Sequence, residues 1–177
     1  MKPGNAIEVK NVRKKFKVFF DKGSQLKERI LFKNRNRYEE RWVLDDISFE
    51  VKEGEAIGLI GHNGCGKSTL LKVIARLVRP TAGEVCYERP LLFHYVPEHF
   101  PKMNLTAEEY LLCQGKMDGL SEEEVVERVE ELSKEFFLSQ MLDTPMKYLS
   151  KGSLQKVGVI QALLKEPEVL ILDEPLF

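Results

Sequence analysis

The chain has 177 residues, with 43% apolar and 31% charged side chains, long enough to bury a core without covalent staples and too apolar to be disordered. Its 27 Lys/Arg against 28 Asp/Glu leave a net charge of −1, which gives no overall pull toward nucleic acid or an anionic membrane. No apolar run approaches the ~20 residues of a membrane span, the N-terminus MKPGNAIEVK lacks a signal-peptide core, and Cys65, Cys86 and Cys113 sit at neither disulfide-framework nor zinc spacing. The expectation is a reduced, cytosolic chain.

The flat total hides an asymmetry. Residues 10–41 hold 12 basic against 4 acidic side chains, and residues 106–135 hold 3 against 10. The basic stretch reads either as a solvated surface insertion or as a partner for phosphates or lipid headgroups. Within the N-terminal β region 6–60, Ile7 and Val9 alternate with Glu8 and Lys10 as in a half-buried strand. A basic insertion at 21–41, with one short helix expected at about 25–32, breaks the pattern. Alternation resumes at Val43, through Ile47, Phe49 and Val51, to a turn at Glu53-Gly54. AIGLI at 56–60 predicts a strand buried on both faces.

A glycine-rich loop follows, and residues 61–80 read as that loop and its helix: Leu70, Leu71, Ile74, Leu77 and Val78 recur at helical spacing up to Pro80. Short strands are expected in 81–105. Thr106-x-x-Glu109 and Ser121-x-x-Glu124 are capping-box signals, and Val125, Val129, Leu132 and Phe136 share one helix face, so 106–148 predicts a helical subdomain with an acidic outer surface. In the last segment, 149–177, a helix from about Lys151 carries Val157, Ile160 and Ala162–Leu164 and stops at Pro167. VLIL at 169–172 predicts a second buried strand.

GHNGCGKST at 61–69 matches G-x-x-x-x-G-K-[ST]. Several phosphate oxygens can be bound at once only if consecutive backbone N–H groups converge, which demands the tight turn that Gly61, Gly64 and Gly66 permit. The helix then begins with its positive dipole end toward the anion. Lys67 can reach the terminal phosphates, a charge pair worth on the order of 4 kcal/mol before desolvation at about 4 Å and a dielectric near 20. Ser68 offers a hydroxyl to Mg²⁺ and Thr69 a second hydroxyl near the phosphates. The nucleotide-binding set is therefore Gly61, Asn63, Gly64, Cys65, Gly66, Lys67, Ser68 and Thr69; Cys65 fills a variable slot, as a bystander or as a redox sensor. VLILDEP at 169–175 is an apolar strand ending in two carboxylates, where open α/β sheets bind ligands. Asp173 is expected to serve Mg²⁺ through water, and Glu174 to orient and deprotonate the attacking water, beside the loop at 61–69. The catalytic candidates are Glu174 and Lys67. On its own, Asp-Glu after a strand also reads as an acidic turn.

LSKGSLQKV at 149–157, shortly before VLILDEP, resembles the signature motif of the ATP-binding cassette (ABC) ATPases, LSGGQ followed by QRV. Leu149, Ser150 and Gly152 match; Lys151 and Ser153 replace a glycine and the glutamine, and Gln155-Lys156 occupy the trailing pair. The resemblance implies an α/β fold: a P-loop NTPase core with a small antiparallel β subdomain and a helical subdomain, 1–177 forming one such domain. It implies ATP and Mg²⁺ as cofactors, and a second ABC ATPase protomer bound head to tail, with Ser150 and Gly152 facing the partner's nucleotide. Phe16 matches the adenine-stacking aromatic, with a core strand aromatic as the alternative. Glu98, in YVPEHF, stands where a metal-sensing glutamine is usual and so joins Ser68 and Asp173 as a metal candidate; its alternative is a surface acid. The helical subdomain would dock on a transmembrane permease subunit at the inner face of the cell membrane. Residues 1–80 look most like polysaccharide or teichoic-acid exporter ATPases, and 90–177 like drug- or peptide-exporter ATPases.

The family continues past DEP to a D-loop and a switch histidine whose place His62, His94 and His99 do not take. The chain is therefore expected to be C-terminally incomplete and to turn over ATP weakly or not at all by itself. The expected function is that of an energy-coupling ATPase of an exporter, with no nucleic-acid partner. The alternatives are a soluble ABC ATPase of translation or DNA repair, using the basic stretch on nucleic acid, and a non-catalytic nucleotide-binding remnant.

Overall fold

Alternating apolar residues give the first two long strands one common inner face. In the computed structural model, which describes residues 4–19 and 38–174, β1 (Asn5–Phe19) pairs antiparallel with β2 (Tyr38–Lys52) and with β3 (Ala82–Tyr87), in the order β2-β1-β3. The register sets Ile7 opposite Val51, Val9 opposite Phe49 and Val12 opposite Ile47, so the alternation read from the sequence packs one face. Glu8 departs from it. Instead of facing solvent it is buried, accepting a hydrogen bond from Asn5 Nδ2 at 3.1 Å and pairing with Lys10 at 2.8 Å. Burial of a carboxylate is tolerable only with such partners.

The basic insertion expected over 21–41 ends earlier than its composition suggested. Tyr38 to Arg41 already belong to β2, opposite Phe19, Val18, Lys17 and Phe16. Here the strands form a ribbon exposed on both faces, so no apolar period marks it. Cross-strand side-chain pairs hold it instead: the Lys15–Glu40 ion pair, Lys17 over the Tyr38 ring at 4.4 Å, and Phe19 against Tyr38 at 5.8 Å. The helix expected at 25–32 lies outside the described residues.

Two further expectations for this half are corrected. AIGLI at 56–60 forms no strand; Ile57 is 44% exposed and Ile60 fully exposed. A strand exists only through a ladder with a neighbour, and among the described residues none pairs with this segment. The following helix, α1 (Lys67–Ile74), stops six residues before Pro80. Arg76 takes the left-handed conformation (φ 60°), its N–H reaching Val73 O and that of Leu77 reaching Lys72 O, the paired bonds of a Schellman stop. The Arg76 guanidinium lies 3.9 Å from the centre of the Tyr87 ring, and Tyr87 donates to the Ile74 carbonyl at 2.6 Å. This anchorage holds the stop without a glycine.

The chain divides between Pro90 and Leu91 into two compact units. In the second, β4 (Phe93–Val96) and β5 (Val169–Leu172) pair in parallel, and α2 (Ala107–Met117), α3 (Glu122–Glu135) and α4 (Lys151–Leu163) surround a core of Leu111, Val125, Val129, Leu132, Leu154, Val157 and Ile160. Both expected capping boxes form: Thr106 with Glu109, and Ser121 with Glu124. The Ser121 bonds hold the Glu124 carboxyl below its ordinary range. Only Ile171 of β5 is buried and its neighbours are half-buried, so this strand is more open than an apolar run suggests.

Helices α2 and α3 approach at Gly115, where a Cβ would lie 2.5 Å from Val125 Cγ2. Gly115→Ala is therefore expected to destabilise the chain by about 1–3 kcal/mol through overpacking, against the ~1 kcal/mol that alanine gains in helix propensity. Denaturant titration of that variant, and of Gly115→Ala/Val125→Ala, checks it: the second change should recover part of the loss.

Candidate functional site

The phosphate-loop motif lies wholly in the first unit, between residues 56–60 and α1. Gly66 precedes the helix at φ 100°, and a Cβ there would meet the Val43 carbonyl oxygen at 2.8 Å and Leu44 Cδ2 at 2.9 Å. Two independent restraints, a left-handed backbone and contact with β2, thus exclude any side chain. Gly64 is also left-handed (φ 80°) but has open space around it. A Cβ at Gly61 would lie 2.7 Å from Cys65 Sγ. The turn closes through Cys65 N–H to His62 O at 3.3 Å, and His62 Nδ1 lies 3.0 Å from the Asn63 carbonyl.

Lys67 spans the turn, donating from Nζ to Gly61 O at 3.0 Å and His62 O at 3.3 Å. Its ammonium is thereby held at the mouth of the loop. Ser68 and Thr69 follow half-buried in the first turn of α1, and the helix start has no side-chain cap. Asn63 and Cys65 are exposed, the latter as a free thiol. Phe16 sits on the exposed ribbon opposite Arg41, 42% exposed, with Lys14 Nζ 5.1 Å from its ring centre. It is not a core aromatic, which removes the alternative reading of that residue.

The second unit holds the carboxylates. Parallel pairing sets Val96 opposite Leu172, so the residues after both strands leave from one end of the pair. Asp173 continues the ladder, its N–H donating to Val96 O at 3.0 Å, and its buried side chain accepts from the Tyr95 hydroxyl at 2.7 Å. Burial, then the Asp173 bond and the charges of Asp173 and Glu98, push the Tyr95 hydroxyl far above its ordinary range. Glu98 therefore shares this end with Asp173; its carboxylate lies 3.5 Å from His99 Nδ1. Glu174 follows exposed, in the left-handed conformation (φ 53°). Among the described residues no three His, Cys, Asp or Glu side chains cluster as a protein-only metal cage. The hard oxygens of Asp173 and Glu98 suit instead a cation that keeps waters and phosphate oxygens as ligands.

The signature segment opens α4. Ser150 is its N-cap, accepting from Ser153 N–H at 3.1 Å, with the two hydroxyls 2.9 Å apart. Gly152 faces open space. Buried Gln155 donates to the Pro97 carbonyl at 3.2 Å, tying α4 to the segment before Glu98. Neither that bond nor Tyr95 was read from the sequence. The one available signal was a hydroxyl-bearing aromatic in the apolar strand preceding Pro97.

The two glycines separate space from conformation. Gly64→Ala should cost about 1–2 kcal/mol, the left-handed penalty alone. Gly66→Ala should cost more, because Val43 must also move. Equilibrium unfolding of both variants checks the order.

Residues 44–177 match the family described as ABC transporter. The chain is 34% identical over 160 residues to a zinc import ATP-binding protein of Hydrogenovibrio crunogenus, covering 82% of this chain and 60% of that protein. It is 32% identical over 182 residues to an O-antigen export system ATP-binding protein of Klebsiella pneumoniae, covering 96% and 71%. Among solved structures, an ATP-binding cassette in a dimeric post-hydrolysis state with ADP and Pi superposes with a TM-score of 0.76 at 25% identity, over 97% of this chain and 75% of that one. The chain thus spans about three fifths of the zinc-import relative's length. With the motif matches at 61–69, 149–157 and 169–175 and this similarity along nearly all of its length, the chain belongs to the ABC transporter family.

Proposed function

We propose that the chain binds and hydrolyses ATP as the energy-coupling subunit of a membrane exporter. The observation that carries the reading is the Gly66 cradle: a backbone turn pressed so closely on β2 that no side chain fits, with the Lys67 ammonium held across it. A turn this tight is what several converging phosphate contacts require.

In this reading the N–H groups of 61–69 and the start of α1 hold the phosphates, and Lys67 exchanges its two loop carbonyls for phosphate oxygens. The family resemblance gives the role of metal ligand to Ser68, Asp173 and Glu98, and Mg²⁺, when bound, would supply charge neutralisation on the phosphates. Glu174 orients the attacking water and accepts its proton. Phe16 offers an exposed ring to the adenine. Ser150, Gly152 and the N-terminus of α4 serve the nucleotide of a second protomer, head to tail. The existence of a dimeric relative with ADP and Pi supports that assembly. No helix among the described residues is long and apolar enough to cross a membrane; we assign the helical subdomain to docking on a permease at the inner membrane face.

The export direction rests on the O-antigen relative, which aligns with 96% of this chain, against 82% for the zinc-import relative. MgATP at about one hundred times its dissociation constant should stabilise the chain by about 2.7 kcal/mol, read as a rise in melting temperature of roughly 5–10 °C. Lys67→Ala should abolish the shift, and Glu174→Gln should keep it while lowering phosphate release. A wild-type chain whose melting is indifferent to MgATP would refute the assignment.

A further inference from the structure

The Tyr95 side chain, on a strand 78 residues before Asp173, reaches that carboxylate: its hydroxyl donates to Oδ2 at 2.7 Å. The parallel register fixes this contact, because Tyr95 lies opposite Ile171 and Val96 opposite Leu172, so that Tyr95 stands beside the residue that follows β5. Asp173 is only 3% exposed, so its carboxylate is oriented by protein groups rather than by bulk water. The Tyr95 hydroxyl is the donor of this bond and the carboxylate oxygen its acceptor. A phenol donor bonded to one oxygen of a buried carboxylate selects the plane in which that carboxylate lies.

We propose that Tyr95 is a positioning residue, its hydroxyl setting the orientation in which the Asp173 carboxylate meets the divalent cation that accompanies bound nucleotide. The inference rests on the nucleotide reading above. It assigns Tyr95 no contact with substrate. Its effect is confined to the metal, because the phosphate loop is built from other residues.

The test uses the full chain with Tyr95→Phe, and measures Mn²⁺ binding in the presence of ATP by electron paramagnetic resonance. ATP binding in EDTA and ligand-free melting are followed in parallel. The expected result is a rise of about threefold to tenfold in the apparent Mn²⁺ dissociation constant, the scale of one lost hydrogen bond. ATP affinity in EDTA should stay within about twofold. A merely structural role would instead lower melting and leave metal affinity unmoved. In an Asp173→Asn background, Tyr95→Phe should add nothing further to the metal defect. Wild-type Mn²⁺ affinity in Tyr95→Phe, or a full additional loss in the Asp173→Asn background, overturns the proposal while leaving the nucleotide reading intact. Failure of the wild-type chain to bind ATP overturns the nucleotide reading and this proposal with it.

Discussion

There is no room for a carbon atom beyond Cα at position 66. The Val43 carbonyl and the Leu44 side chain occupy the space a Cβ would take, and the backbone is left-handed at the same point. The geometry of the phosphate loop follows from that restraint: the turn can fold back on β2, α1 can start immediately after it, and Lys67 can reach across to Gly61 and His62. An alanine would open the turn and misdirect the helix start together.

The second unit organises its acids by another route. Two short parallel strands bring segments distant in sequence to a common end, where Asp173, Glu98 and Tyr95 interact, and buried Gln155 fastens the signature helix to the same segment. Helix α4 also packs closely here, since a Cβ on Gly158 would meet Phe100 at 2.8 Å. Movement of the signature helix would therefore be felt at Pro97 and Glu98. The hydrogen bond from Gln155 supplies the physical link, and the close Gly158–Phe100 approach leaves little slack in it.

What the sequence made legible were features whose cause is local. The capping boxes at Thr106 and Ser121, the N-cap at Ser150 and the phosphate loop each depend on residues within a few positions of one another. Strand formation at 56–60 was misread because an apolar run states only that burial is favourable; the ladder partner must come from elsewhere. The ribbon at 38–41 was missed for the converse reason, as pairing occurs there without burial on either face. The end of α1 at Ile74 escaped notice because Arg76, stacked on Tyr87, does what glycine usually signals. Tyr95 joined Asp173 only through register, which no local pattern encodes.

The outer border of the antiparallel sheet carries a final implication. Among the described residues β2 is an edge strand, and its row of Glu39, Glu40, Arg41, Asp45 and Asp46 is interrupted by register shifts opposite Val9 to Lys15, with Asp46 itself left-handed and gripped by Asn11. Charge and irregularity of this kind make a poor template for another chain's backbone. The border is thereby protected against edge-to-edge aggregation while the aromatic side chains of the ribbon stay at the surface.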